Sequence, residues 1–224
     1  MAAEDPAARL DAALRDLGGT TLDLADGERL FRAGEAREAV YRVAAGYLKL
    51  VRNGADGTER IVALMGGGSL LGLDGLWEPK ERTAAHEVDA VAAGGASVHR
   101  VARSAFRRLL EERGDLARPV VEQLSSRQRA ADRRLELLLV ADARGRVAGT
   151  LAELAGRQGQ RCPHGHEVDV PLTQGELAQL AGLSRQVTSA TLNALREEGL
   201  IDYTRDHLCV NDLRALGAAA LSST

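Results

Sequence analysis

The residues whose types and spacing suit chemistry cluster between Thr173 and Ile201 of this 224-residue chain. Thr173 and Glu176 stand three apart ahead of an apolar run, the spacing of a capping box that opens a short helix. Leu177, Ala178 and Ala181 form its inner face, and the small Ala178 lets a second helix cross closely. Gly182 supplies the left-handed residue of a tight turn. Ser184 then caps a second helix whose inner face is Val187 or Thr188, Leu192 and Leu195. Two short helices joined this way make a helix-turn-helix, which places the first turn of its second helix in the major groove of double-stranded DNA. Arg185, Gln186 and Ser189 are the expected base readers there. Arginine bonds guanine O6 and N7, and glutamine bonds adenine N6 and N7. After Gly199, Leu200–Tyr203 and His207–Val210 flank the polar Thr204-Arg205-Asp206, which predicts a β-hairpin wing. Thr173, Ser184, Thr204 and Arg205 are the expected backbone contacts.

Charge does not drive this reading. Residues 171 to 224 hold four arginines and six carboxylates, a net of -2, and the whole chain carries -3. Placement carries the argument instead of a broad basic surface. A helix-turn-helix also occurs as a plain helical hairpin, so the wing and the residues of the second helix matter.

Other candidate chemistry is thinner. Cys162 and Cys209 are the only cysteines, too few for a disulfide scaffold, an iron–sulfur cluster or a four-cysteine zinc site. Cys162, His164 and His166 offer three metal ligands without zinc-finger spacing, so a polar turn is preferred. A cupin-type metal enzyme is the alternative class. It needs several His and Glu ligands converging inside a β-roll, where only His86 and His99 fall. No paired carboxylates, activated nucleophile or phosphate loop appear, so the chain is expected not to be an enzyme and to need no cofactor.

Three styles of sequence must position the candidate reader helix. Pro6 to Leu17 has Leu10, Leu14 and Leu17 at helical spacing. From Thr20 to about Arg103 short alternating runs, such as Val40–Val43, Tyr47–Val51, Arg60–Leu64 and Ala96–Val101, are cut by glycines. That pattern predicts an antiparallel barrel or sandwich. Ser104–Glu111 reads as a helix, and a longer one runs from about Asp115 to Ala141. Within it Ala117, Val121, Leu124, Gln128, Ala131, Leu135 and Leu138 repeat at spacings 4-3-4-3-4-3. A strict heptad seam wants a partner helix, and a polar Gln128 inside it fixes register. A homodimer seam is therefore preferred over packing on the chain's own barrel. Asp142–Arg146 reads as a hinge, Arg146–Ala155 as a helix, Arg157–His166 as a polar loop and Glu167–Val170 as a short strand.

The order of these parts resembles the Crp/Fnr family of bacterial transcription regulators from about residue 20 to the end. Leu183-Ser-Arg-Gln186 and Leu195–Ile201 are similar to the family's recognition-helix region, and Gly27–Glu35 to its first roll strand. The resemblance implies an α+β fold: an antiparallel β-roll sensor-like domain over 1–114, a dimerisation helix over 115–142 and a winged helix-turn-helix over 143–224. It also implies a homodimer on a two-fold symmetric promoter site, acting with RNA polymerase and favouring activation. The absence of an 18-residue apolar run and the acidic N-terminus point to a cytoplasmic protein with no membrane partner.

Where cyclic-AMP-responsive members of the family read Arg-Glu-Thr-Val-Gly-Arg, this chain has Arg185-Gln-Val-Thr-Ser-Ala190. A guanine read by Arg185 is then kept while its neighbour changes. The family's nucleotide cassette falls on Gly72 to Ala84. Gly72, Arg82 and Thr83 match its phosphate end, but Leu73 replaces the ribose-binding glutamate and Ala131-Asp132 the base-facing pair. The expectation is DNA binding without cyclic AMP. The alternative is control by an anionic or nucleotide ligand near Arg82.

Overall fold

Two long strands carry the first half of the molecule. β3 (Ala39–Asn53) and β6 (Asp89–Ala102) pair antiparallel from Ala39 opposite Ala102 to Val51 opposite Asp89. β1 (Thr20–Leu24) and β2 (Arg29–Phe31) pair with β6, while β4 (Glu59–Met65) and β5 (Leu70–Leu71) pair with β3. The computed structural model describes residues 5–54, 57–78, 85–162, 165–168, 170–203 and 208–221.

The expected antiparallel β-roll is present, but its strands are fewer and longer than the sequence suggests. Val40–Val43 and Tyr47–Val51 lie on one strand, β3, whose register against β6 shifts at Val43/Ala45 and again at Gly46/Tyr47. Gly46 looks like a turn residue and is a bulge residue. Its φ is 74°, and a Cβ there would lie 2.2 Å from the Gly95 carbonyl oxygen. Such bulges bend a strand without ending it.

Alternation along β3 and β6 feeds two cores. Tyr41, Val43 and Val98 point into the roll with Phe31, Leu48, Leu50, Met65 and Leu71. Val40 and Val101 point the other way, onto Leu10 and Leu14 of α1 (Pro6–Asp16) and Phe106 and Leu110 of α2 (Arg103–Glu112). A buried Arg42 on β3 also clamps Asp11 of α1, with Nε to Oδ1 at 2.6 Å and Nη2 to Oδ2 at 3.0 Å.

After a 3-10 turn over Gly114–Leu116 comes α3 (Ala117–Val140). Pro119 lies in its first turn, where a missing N–H costs no helix bond. Val120 joins the α1–α2 core. The Gln123 amide donates to the Gly68 carbonyl at 2.7 Å and accepts from the Leu70 N–H at 2.6 Å. The chain forms two compact units, Met1–Arg127 and Gln128–Thr224, so the division falls inside α3. Boundaries at 114/115 and 142/143, with the helix as a separate body, were expected; contacts such as those of Gln123 place its first turns in the roll unit.

In the second unit, the expected hinge Asp142–Arg146 is the start of a helix. α4 (Ala143–Gln158) begins at Asp142, whose Oδ1 accepts the Gly145 N–H at 2.7 Å. The expected loop 157–166 instead finishes α4 and forms β7 (Gln160–Cys162) and the start of β8 (Gly165–Val168). These strands join β9 (Ile201–Tyr203) and β10 (Leu208–Val210) in a sheet of order β7-β8-β10-β9. The short strand read at Glu167–Val170 overlaps the second half of β8, but the polar residues before it do not forecast β7 or the start of β8, because β8 is held by β10, about forty residues further on, with Val168 opposite Leu208. A last helix, α7 (Leu213–Leu221), was not expected. Asp212 caps it by accepting the Arg214 and Ala215 N–H groups at 2.9 Å each, and Leu216 is buried. Among the described residues no helix is long and apolar enough to cross a membrane.

His86 shows how the roll core responds to acid. Its ring stacks on Phe31 with centroids 3.7 Å apart and planes 12° from parallel. Burial and then the Arg37 charge hold its pKa below the ordinary 6.5; Arg103 adds to this, while Glu35 and Asp74 oppose it. As pH falls through 6.5 the unfolded chain takes up a proton that the folded histidine refuses, so stability is lost until the folded group also protonates. Thermal melts between about pH 7.5 and 5.5, above the ordinary carboxylate range, should show the midpoint falling with acid. His86→Gln should flatten that slope while lowering the midpoint at neutral pH.

Candidate nucleic-acid interface

The second unit builds the expected helix-turn-helix residue by residue. α5 (Gln174–Ala181) opens with the predicted capping box: Thr173 Oγ1 accepts the Glu176 N–H at 3.2 Å, and Glu176 Oε2 accepts the Thr173 N–H at 2.8 Å. Leu177, Ala178, Leu180 and Ala181 are buried. Gly182 ends the helix at φ 66°, ψ 36°. Ser184 caps α6 (Arg185–Glu197) by accepting the Val187 N–H at 3.3 Å.

The choice left open on the inner face of α6 falls to Thr188. Thr188, Leu192 and Leu195 are buried, and Val187 is exposed. Among the described residues the Thr188 hydroxyl has no hydrogen-bond partner. This orientation decides what faces outward. Arg185 and Gln186 are exposed in the first turn, and Ser189 is half-buried on the flank. Ala190 and Asn193, one and two turns beyond Gln186, share its exposed stripe. Ser184 is exposed at the N-terminal end. The Thr173 hydroxyl, expected to meet the DNA backbone, donates to Glu176 Oε2 at 2.9 Å.

β9 and β10 pair antiparallel, with Tyr203 opposite Leu208, where the wing was expected. Thr204 and Arg205 lie outside the described residues. The Gln174 amide donates to the Tyr203 hydroxyl, tying this ribbon to the start of α5. Arg144 of α4 meets Glu198 in a two-pronged ion pair, both contacts 2.5 Å, which keeps the Glu198 carboxyl below its ordinary range.

The roll unit contains a cavity of about 460 Å³ lined by Phe31, Arg37, Gly72, Asp74, Glu78 and His86 among others. Arg82 and Thr83, two of the three phosphate-end residues, lie outside the described residues. Gly72 is present at φ 80°, where a Cβ would lie 2.4 Å from the Ala39 carbonyl oxygen. Leu73, at the ribose position, is buried in the α1–α2 core. Arg37 and Arg103 hold the turn by its carbonyls: Arg103 reaches Gly72 O at 2.5 Å and Asp74 O at 2.7 Å, and Arg37 reaches Asp74 O at 3.4 Å. Sequence reading missed both arginines, because their partners are backbone atoms of a distant turn and leave no pattern. Cys162 ends β7, His164 lies outside the described residues, and among the described residues no group of three metal-binding side chains assembles.

Along α3 the expected seam is uncovered within one chain. Val121, Leu124, Gln128, Ala131, Leu135 and Leu138 are all exposed, with Leu135 at 57%. Gln128 donates to Asp132 Oδ1 at 2.9 Å.

Comparison with known proteins agrees with this geometry. Residues 145–219 match the Crp-like helix-turn-helix domain, and residues 21–113 match the cyclic nucleotide-binding domain. The cyclic AMP receptor protein of Thermus thermophilus is 36% identical over 178 residues, covering 78% of this chain and 76% of that protein. A CRP-like cAMP-activated global transcriptional regulator of Mycobacterium tuberculosis is 29% identical over 203 residues, 89% of this chain and 87% of its own. Among solved structures, a CRP-family regulator from Thermus thermophilus superposes with TM-score 0.71 at 25% identity, covering 90% of this chain and 97% of that one. FixK2 from Bradyrhizobium japonicum superposes at 0.78 with 21% identity, covering 92% and 99%.

A β-roll of the cyclic-nucleotide-binding type followed by a winged helix-turn-helix defines a class of DNA-binding transcription regulators, not enzymes. Within it, the chain belongs to the Crp/Fnr family.

The turn between α5 and α6 sets the reader's angle, so Gly182 is the residue to test. An alanine would adopt a left-handed conformation costing about 1–2 kcal/mol. Its Cβ would also lie 2.7 Å from Leu138 Cδ2. Gly182→Ala should lower the unfolding free energy of the second unit by that amount in a urea titration, whereas Gly156→Ala, with open space around it, should not.

Proposed function

We propose that this regulator acts as a homodimer, binds a two-fold symmetric promoter site in the cytoplasm and activates transcription with RNA polymerase, without needing cyclic AMP. The exposed heptad seam of α3 carries the dimer reading. Apolar a and d residues left in water find cover on a second copy of the same helix, and a dimer's two-fold axis presents two reader helices to two half-sites. Arg185 and Gln186 read bases, Ser189 contributes from the flank, and Ser184 with the wing residues Thr204 and Arg205 takes the backbone.

Independence of cyclic AMP rests on the cassette. Leu73 is buried in core where the ribose would need an acceptor, and Asp74 and Glu78 bring carboxylates to the cavity that a phosphodiester would enter. A ligand shifts an equilibrium only by its difference in affinity between two states. A pocket whose ribose position is a buried leucine has little such difference. A second reading, gating by a cyclic nucleotide, is favoured by the names of the relatives, a cyclic AMP receptor protein and a cAMP-activated regulator.

Sedimentation of Leu124→Asp/Leu135→Asp should give monomers where the parent protein is dimeric; a dimer in the variant would place the interface elsewhere. An operator fragment obtained by selection from random DNA should bind the ligand-free protein, with no change in millimolar cyclic AMP. A tightening of tenfold or more would favour the second reading. Arg185→Ala should weaken that binding roughly ten- to hundredfold, as loss of a bidentate guanine contact implies.

A further inference from the structure

We infer that Asn193 is a base-reading residue, specifying adenine at a position at most about three base pairs from the one read by Gln186. The inference rests on the reading in which α6 lies in the major groove. Thr188, Leu192 and Leu195 point into the unit, so the opposite stripe of α6 is Gln186, Ala190 and Asn193. All three are exposed. Among the described residues no side-chain hydrogen bond or ion pair occupies Gln186 or Asn193, in contrast to Thr191 beside them, whose hydroxyl donates to the Val187 carbonyl at 2.9 Å.

Chemistry and spacing select Asn193 within that stripe. Asparagine is a weaker helix former than alanine, so an exposed, unpartnered asparagine in a helix interior adds nothing to the fold. Its amide can accept from adenine N6 and donate to N7 at once. From Gln186 to Asn193 is seven residues, about 10 Å along the helix. With the helix inclined to the DNA axis in the groove, that spans at most about three base-pair steps of roughly 3.4 Å. Ala190 between them carries only a methyl group, so the helix can approach the base edges closely and meet a thymine methyl. No carboxylate occurs on α6 from Arg185 to Arg196, so the helix itself presents no charge along this length that repels phosphate. Glu197, the last residue of α6, ends the permitted stretch.

Sequence selection from a random duplex pool with the full-length protein tests this, using Asn193→Ala, Gln186→Ala and the parent chain. Circular dichroism and melting should show Asn193→Ala folded and no less stable. The expected result is that Asn193→Ala loses preference at one position in each half-site, at most about three base pairs from the position lost in Gln186→Ala. Its affinity for the parent site should fall roughly ten- to hundredfold, the span of one bidentate contact. An unchanged sequence profile in Asn193→Ala, while Gln186→Ala alters its own position, overturns the inference and leaves DNA reading by α6 intact. Equal weakening on all sequences also overturns it, because that marks a phosphate contact. If the parent chain enriches no sequence at all, the groove reading fails and the inference with it.

Discussion

The β3–β6 ladder is the constraint on which the first unit depends. Every other strand of the roll's sheet pairs with one of these two. Their alternating residues must then serve two cores at once, one inside the roll and one beneath α1 and α2. The bulges around Val43 and Gly46 are how one long pair stays hydrogen-bonded while bending enough to close the roll. Because β5 pairs with Tyr41 and Arg42 of β3, the ladder also fixes the turn that begins at Gly72, and with it one wall of the cavity.

The same unit shows a division of labour among arginines in a chain with only two lysines. Arg42 is satisfied by the Asp11 carboxylate and the Gly68 carbonyl. Arg103 is bonded through two backbone carbonyls and Arg37 through one, with the Arg37 Nε buried and without a partner among the described residues. A planar guanidinium can bridge neighbouring carbonyls in a way a point-charge ammonium cannot. His86 sits beside this cluster, and burial and the Arg37 charge both disfavour its cation.

In the second unit the decisive contact is the buried side of α6. Turning Thr188, Leu192 and Leu195 inward leaves Arg185, Gln186, Ala190 and Asn193 outward with no freedom of choice. The unit's net negative charge does not reach this stripe, whose first carboxylate is at the far end of the helix. Local placement of hydrogen-bonding groups, on a helix stripe without carboxylates, substitutes for a broad basic field.

Local chemistry is what the sequence determined by itself. The capping box at Thr173 and Glu176, the left-handed Gly182, the Ser184 cap and the heptad spacing along α3 each depend on residues a few positions apart, so each was legible without coordinates. What the tertiary structure decided involves partners far apart in the chain. Gly46 is a bulge because Gly95 lies against it. The strand β8 runs from Gly165, inside a stretch that reads as polar loop, because β10 offers it a ladder. Gln123 belongs to the roll because it meets Gly68 and Leu70. Between Val187 and Thr188 the sequence alone was evenly balanced, since either is β-branched and of similar size. Packing chose Thr188, because the face shared with Leu192 and Leu195 admits only one of the two neighbours, and that choice fixes which residues of the reader helix face outward.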